Sequence, residues 1–204
     1  MTMMELLQSR IARFVEDWPT KFPGFDAVLL VSGTPESFGL TRKTVAMHTW
    51  LFGMPFTNTL VVLHKFGQII VWASYNKLSY LEKCAGQTCV LVHRSSQSCV
   101  LEDTLNIKFI VNMLRMQTDV NIVIGMLENE IPANCLGHLV REVLPVIPRL
   151  RSEECSDGIS SLLVSKDAEE TKLTKLFGPD TVEGHCMSDQ ETLLLFIQDK
   201  VGQE

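Results

Sequence analysis

The sequence lacks the short motifs that mark common catalytic and cofactor sites, and each absence removes a class of function. No Cys-x-x-Cys pair occurs among the six cysteines at positions 84, 89, 99, 135, 155 and 186, and their spacing fits no zinc template. The histidines (His48, His64, His93, His138 and His185) fall on separate segments without H-x-x-x-H or H-E-x-x-H spacing, so no converging metal ligands are expected. His185-Cys186 is an adjacent pair in a predicted loop and reads as chance proximity. Neither common glycine-rich phosphate loop is present; Ser32-Gly33-Thr34-Pro35 carries one glycine, enough for a turn. A G-x-S-x-G elbow is absent as well. Cys84, Cys89 and Cys99 lie in or beside apolar segments, where a thiol behaves as a small hydrophobe. The expectation is no catalytic residue, no metal ligand and no cofactor, although a site assembled from distant side chains would leave no such motif.

Long hydrophobic runs are missing too: no stretch approaches the ~18–20 apolar residues of a membrane span. Met1 to Asp17 contains acids and has helical periodicity, unlike a signal peptide. The economical expectation is a chain with reduced thiols in the cytosol or nucleus. Positive charge is also scarce. Lys and Arg total 18 against 24 Asp and Glu, a net charge of −6, which argues against direct, sequence-specific nucleic-acid binding. The deficit is uneven: residues 1–150 carry a balance of +1, and residues 151–204 carry −7. An acidic end is either a solvated surface or an attraction for a basic partner, and the scattering of the acids favours the former.

What is present is core-forming material. A 204-residue chain that is 46% hydrophobic suits one domain, or one domain with a short appendage. Leu7, Ile11, Phe14 and Trp18 share one face of an opening helix that Phe22-Pro23-Gly24 breaks. Ala27 to Val31 is an uninterrupted apolar run, the mark of a strand covered on both sides. A second helix begins near Thr41, with Met47, Trp50, Leu51 and Met54 as its stripe and Gly53 and Pro55 closing it. Thr59 to Leu63 and Gln68 to Trp72 read as a hairpin whose turn needs Gly67.

Helix and strand then alternate. A helix over 74–85 (Leu78, Leu81) precedes a strand from Thr88 to Val92, and a helix with Ile107, Ile110, Val111 and Leu114 on one face precedes a strand from Val120 to Gly125. Leu136, Leu139, Val140, Val143 and Leu144 make a further helical stripe with Asn134 as N-cap. Ile159 to Val164 is expected as a short late strand. The fold class is therefore α/β, three-layer, with a mixed sheet of about six strands and helices on both faces. The organisation expected is an α/β lobe over 1–177 and a helical extension over 178–204. A charged helix from Asp167 to Phe177 ends the lobe at a Gly178-Pro179-Asp180 stop; the extension after it carries a Ser188 to Glu191 capping box before Leu193 and reads as the start of a second lobe.

Among exposed side chains, Arg42 and Lys43 before the second helix and Lys65 at the hairpin tip are the candidate partner contacts. Trp50, though close to basic residues, falls on the apolar stripe and is expected in the core rather than stacked on a nucleic acid.

The stretch Thr44 to Val62, with Trp50-Leu51-Phe52-Gly53, a short spacer and Thr59-Leu60, resembles the helix-to-strand passage in the N-terminal lobe of the large subunit of FACT, a histone chaperone. The hairpin and the helix holding Lys77, Leu78 and Leu81 agree with it. A second anchor is Ile159 to Val164 followed by Ser165-Lys166-Asp167-Ala168-Glu169-Glu170, similar to a strand and K-[DE]-x-x-E pattern at that family's lobe junction. The resemblance implies the small-lobe architecture of aminopeptidase P and creatinase, whose metal and substrate are held mainly by a larger second lobe. It further implies a nuclear, non-catalytic module with histones and other chromatin, replication or transcription proteins as partners. Pairing with the smaller FACT subunit would run through domains that do not lie in this sequence. The alternative that shares this fold is the N-terminal lobe of a metal-dependent aminopeptidase or creatinase-like enzyme.

Overall fold

The computed structural model describes residues 3–34, 42–85, 89–95, 100–116 and 121–164. Met1–Val164 forms one compact unit. The expected boundary at 177/178, and the helices expected around it, lie outside the described residues.

The elements run α1 (Met3–Lys21), β1 (Ala27–Val31), α2 (Lys43–Phe52), β2 (Leu60–His64), β3 (Ile69–Ala73), α3 (Tyr75–Ala85) and β4 (Cys89–His93), then α4 (Val100–Arg115), β5 (Ile122–Met126), α5 (Cys135–Glu142), β6 (Leu150–Glu154) and α6 (Ser156–Val164). The six strands form one sheet in the order β4-β3-β2-β1-β5-β6. The β1/β2 and β2/β3 pairs are antiparallel, and the other three are parallel, so the sheet is mixed as the hairpin requires.

Alternation along β1 divides the interior in two. Val28 and Leu30 face a core built with α1, α2, α3 and α6. Ala27, Leu29 and Val31 face a second core built with α4 and α5. Because successive side chains of a strand point to opposite faces, a five-residue run with no polar member is what a strand shared by two cores needs. Burial of Val28, Leu29, Leu30 and Val31 contributes about 1.5–3 kcal/mol each.

Local signals set the ends of several elements. Gly53 caps α2, its N–H donating to Thr49 O at 2.9 Å. Gly67 turns the β2–β3 hairpin with φ +84, and a Cβ there would lie 3.0 Å from Val15 Cγ2 and 3.1 Å from Ile11 Cγ2, since the turn tucks under α1. The Asn134 side chain accepts from Gly137 N at 3.0 Å and starts α5. That helix stops at Glu142, two residues short of its apolar stripe; Leu144–Val146, containing Pro145, is a 3-10 turn. Trp50 is buried, and the guanidinium groups of Arg10 and Arg13 approach its ring to 5.9 and 5.7 Å.

One expectation fails. Ile159 to Val164 is not a strand but the second half of α6, and the sixth strand is β6, just before it. Buried Cys155, Ile159 and Leu162 stand at i, i+4 and i+7, the helical period. Gly158 lets α6 lie directly on the end of α1: an added Cβ would come within 2.3 Å of Lys21 O. Basic side chains of α1 reach the last carbonyls of α6, Arg13 to Leu162 O and Lys21 to Ser161 O, both at 3.2 Å, which favours a helix C-terminus. β6 escapes a hydrophobic reading because it is a sheet edge whose Arg151, Glu153 and Glu154 are exposed.

His48 is fully buried on α2, with Nδ1 3.3 Å from Phe56 O, and its Nε2 meets no hydrogen-bond partner among the described residues. Desolvation lowers its pKa from 6.5 to about 4, against the raising effect of the Phe56 carbonyl and aided by the Lys77 charge. The unfolded chain therefore binds this proton from about 6.5 downward and the folded chain only near 4, so stability falls as pH drops through that window. The loss attributable to His48 is ~3 kcal/mol. Chemical denaturation at pH 7 and pH 4.5 should show a smaller difference for His48→Gln than for the unaltered chain; equal differences would refute this role.

Candidate interaction surface

Arg42 and Lys43 sit together where α2 begins, and the structure spends both on internal contacts. The short turn Glu128–Glu130 follows β5, and β5 runs parallel to β1, so Glu130 and the start of α2 meet beyond the carboxyl ends of these two strands. The Glu130 carboxylate accepts from Lys43 N and Thr44 N, each at 2.8 Å. The first turn of a helix exposes unpaired N–H groups and a partial positive charge, a natural anion site. Here the chain fills it with its own acid. Arg42, the N-cap residue, uses no side-chain cap; its guanidinium points back toward Glu130 O at 3.5 Å. Lys43 Nζ donates to Ser156 O at 3.2 Å and to Ser156 Oγ, tying α2 to the start of α6.

Lys65 lies at the other end of β1. Its Nζ bonds Asp26 Oδ1 at 2.7 Å, and Asp26 Oδ2 accepts from Val123 N at 2.9 Å. One carboxylate thereby links the hairpin tip, the entry to β1 and the entry to β5. His64, at the base of the tip, has its pKa lowered by burial first and by the Lys65 charge second, with Asp26 opposing. Phe66 beside it is 65% exposed, and Lys65 Nζ stands 5.3 Å from its ring. The three sequence candidates thus fall into two groups at opposite ends of the central strand.

No group of three or more His, Cys, Asp or Glu able to hold a metal ion occurs among the described residues. Burial pushes the Cys89 and Cys155 thiols up to about 12, so both stay protonated and unreactive at neutral pH. Arg94 follows β4 and bridges to Asp103 of α4 at 3.6 Å and to Cys135 Sγ of α5 at 2.7 Å, with its guanidinium 5.8 Å from the Trp72 ring. This cluster fastens α4 and α5 to the sheet. No described helix is long and apolar enough to cross a membrane.

Glu130 is the residue that sequence reading missed. Its partners are 86 and 87 residues away, and nothing near it in the chain marks it as a helix cap. Removing it with Glu130→Ala should cost ~1–2 kcal/mol of unfolding free energy, the loss of a cap plus its favourable charge at the helix start. Glu130→Gln, which keeps one acceptor, should cost less; urea titrations of both variants measure this, and no loss in Glu130→Ala would discount the clamp.

The fold occurs in the N-terminal domain of FACT complex subunit SPT16 from chickpea, at 23% identity and TM-score 0.68, covering 85% of this chain and 44% of that one. The corresponding domain from Eremothecium gossypii matches at 19% identity and TM-score 0.69, covering 82% and 39%. A prolidase from Thermococcus sibiricus shares the fold at 16% identity and TM-score 0.54, covering 83% and 40%. The chain thus spans about two-fifths of the length of each of these structures. No curated protein sequence matches it. The model of the FACT complex subunit SPT16 N-terminal lobe domain matches residues 4–142, more than half of the chain, and the chain belongs to that family.

Proposed function

We propose that this lobe is a non-catalytic interaction module of a nuclear histone chaperone, binding histones or other chromatin factors while nucleosomes are reorganised. The observation that carries the reading is the family match over residues 4–142. The chemistry of the described residues supports it. The anion site at the start of α2 is closed by Glu130, the half-buried Cys89 and buried Cys155 thiols are held protonated, and buried Asp103 joins α4 to Arg94. The same reading takes residues 1–177 as the lobe and 178–204 as a helical extension. Arg42, Lys43 and Lys65 are its proposed contacts with acidic stretches of a partner, and Lys65, beside exposed Phe66, is the best placed of the three.

The test is binding of the chain to core histones at about 0.15 M salt, where the screening length is about 8 Å, with an unrelated basic protein as control. The control is needed because a net charge of −6 attracts any basic partner. Binding to histones that persists as salt is raised and is absent for the control is the expected result. Equal binding to both, or to neither, would refute the module as an independent histone binder.

A further inference from the structure

β6 ends the sheet on one side, and every second residue of it turns its main chain outward. Ile122 N donates to Arg149 O at 2.9 Å, and Cys155 N donates to Met126 O at 3.0 Å. Between these rungs the parallel ladder to β5 takes the N–H and C=O groups of Arg151 and Glu153. Leu150, Ser152 and Glu154 therefore aim theirs away from β5, past the edge of the sheet. An edge of this kind is a template for a further strand.

The side chains of the edge specify which strand fits. Arg151 and Glu153 stand two apart on one face, with side chains 71% and 46% exposed and Arg151 Nε 2.8 Å from Glu153 Oε1. Charges on an edge disfavour any strand that does not match them. A strand laid antiparallel along β6 must set an acid opposite Arg151 and a base opposite Glu153. Read in its own direction, it carries a base, any residue, then an acid. Leu150-Arg151-Ser152-Glu153-Glu154 is such a strand.

With Ser152 opposite Ser152 of a second copy, Arg151 of each strand faces Glu153 of the other. Each charge keeps its neighbour of opposite sign within the strand and gains another across it. The phase of the main chain agrees independently. In this register the outward-facing residues 150, 152 and 154 meet one another as hydrogen-bonded pairs. Residues 151 and 153 meet as the non-hydrogen-bonded pairs, in which opposed side chains come closest. Glu154 brings no loose charge, because its carboxylate accepts from Glu128 N and Ser156 N of its own chain, each at 2.9 Å.

We propose that β6 is a self-association edge, on which β6 of a second copy of this chain pairs antiparallel about a two-fold axis at Ser152 and joins the two sheets into one. Such an interface is isologous and closes at the dimer. Two five-residue strands bury less than the ~1,200 Å² of a standard stable interface, so the dimer is weak and concentration-dependent. It is independent of histone binding.

Sedimentation equilibrium of the full chain from micromolar to millimolar concentration tests this, and a monomer–dimer equilibrium is expected. Ser152→Pro deletes an N–H that points away from β5, so β6 keeps its bonds to the sheet while the axis loses its own. The dimer Kd should rise at least about tenfold. Arg151→Glu and Glu153→Arg each set like charges across the axis and should each weaken the dimer by roughly tenfold. An equimolar mixture of these two variants pairs acid with base again and should recover most of the affinity. Unchanged near-UV circular dichroism would verify that the variants fold. A chain monomeric throughout would overturn the proposal. So would a dimer indifferent to Ser152→Pro, or a mixture no tighter than its components alone.

Discussion

The burial of β1 on both faces is the constraint on which the rest of the structure depends. Ala27 to Val31 offers no polar side chain to solvent, so the chain must cover the strand on two sides and pair it on both edges. β2 supplies one edge at once through the antiparallel register Ala27↔His64 to Val31↔Leu60. The other edge waits for β5, more than 90 residues later, in parallel register from Ala27↔Ile124 to Leu29↔Met126. Asp26 locks this arrangement where it begins, holding Lys65 and the Val123 amide with one carboxylate. A charge placed at Leu30 would forfeit several kcal/mol by desolvation alone, a large share of the ~5–15 kcal/mol that holds a domain folded.

From that strand the chemistry of the lobe follows. Parallel β1 and β5 present their carboxyl ends together, the place where open α/β sheets bind ligands, and the adjacent start of α2 would favour an anion. Glu130 occupies that position. In this chain, whose architecture is shared with a prolidase, the anion position at the start of α2 is filled by the chain's own carboxylate.

The legible parts of the fold were those with a local cause. The apolar run of β1, Gly67 in the hairpin, the stripe of α4 and the Asn134 cap each carry their reason within a few residues. β6 and α6 do not. Leu150 to Glu154 is a strand only because β5 lies beside it, and its polar side chains suit an exposed edge. Ile159 to Val164 is apolar enough for either state, and only the seat of Gly158 on Lys21 O and the burial period of Cys155, Ile159 and Leu162 decide for helix. The site followed the same rule. Arg42, Lys43 and Lys65 were recognisable as charges near element ends, but their internal partners Glu130, Ser156 and Asp26 come from distant segments.

The central claim is that the lobe acts through its outer surface and not through an internal site, and hydrogen exchange of the chain with and without core histones tests it most directly. The account predicts added protection at exposed segments, such as the Lys65-Phe66 tip, with the amides of β1, β2 and β5 unchanged. No change anywhere, or protection centred on the carboxyl ends of β1 and β5 around Glu130, would contradict it.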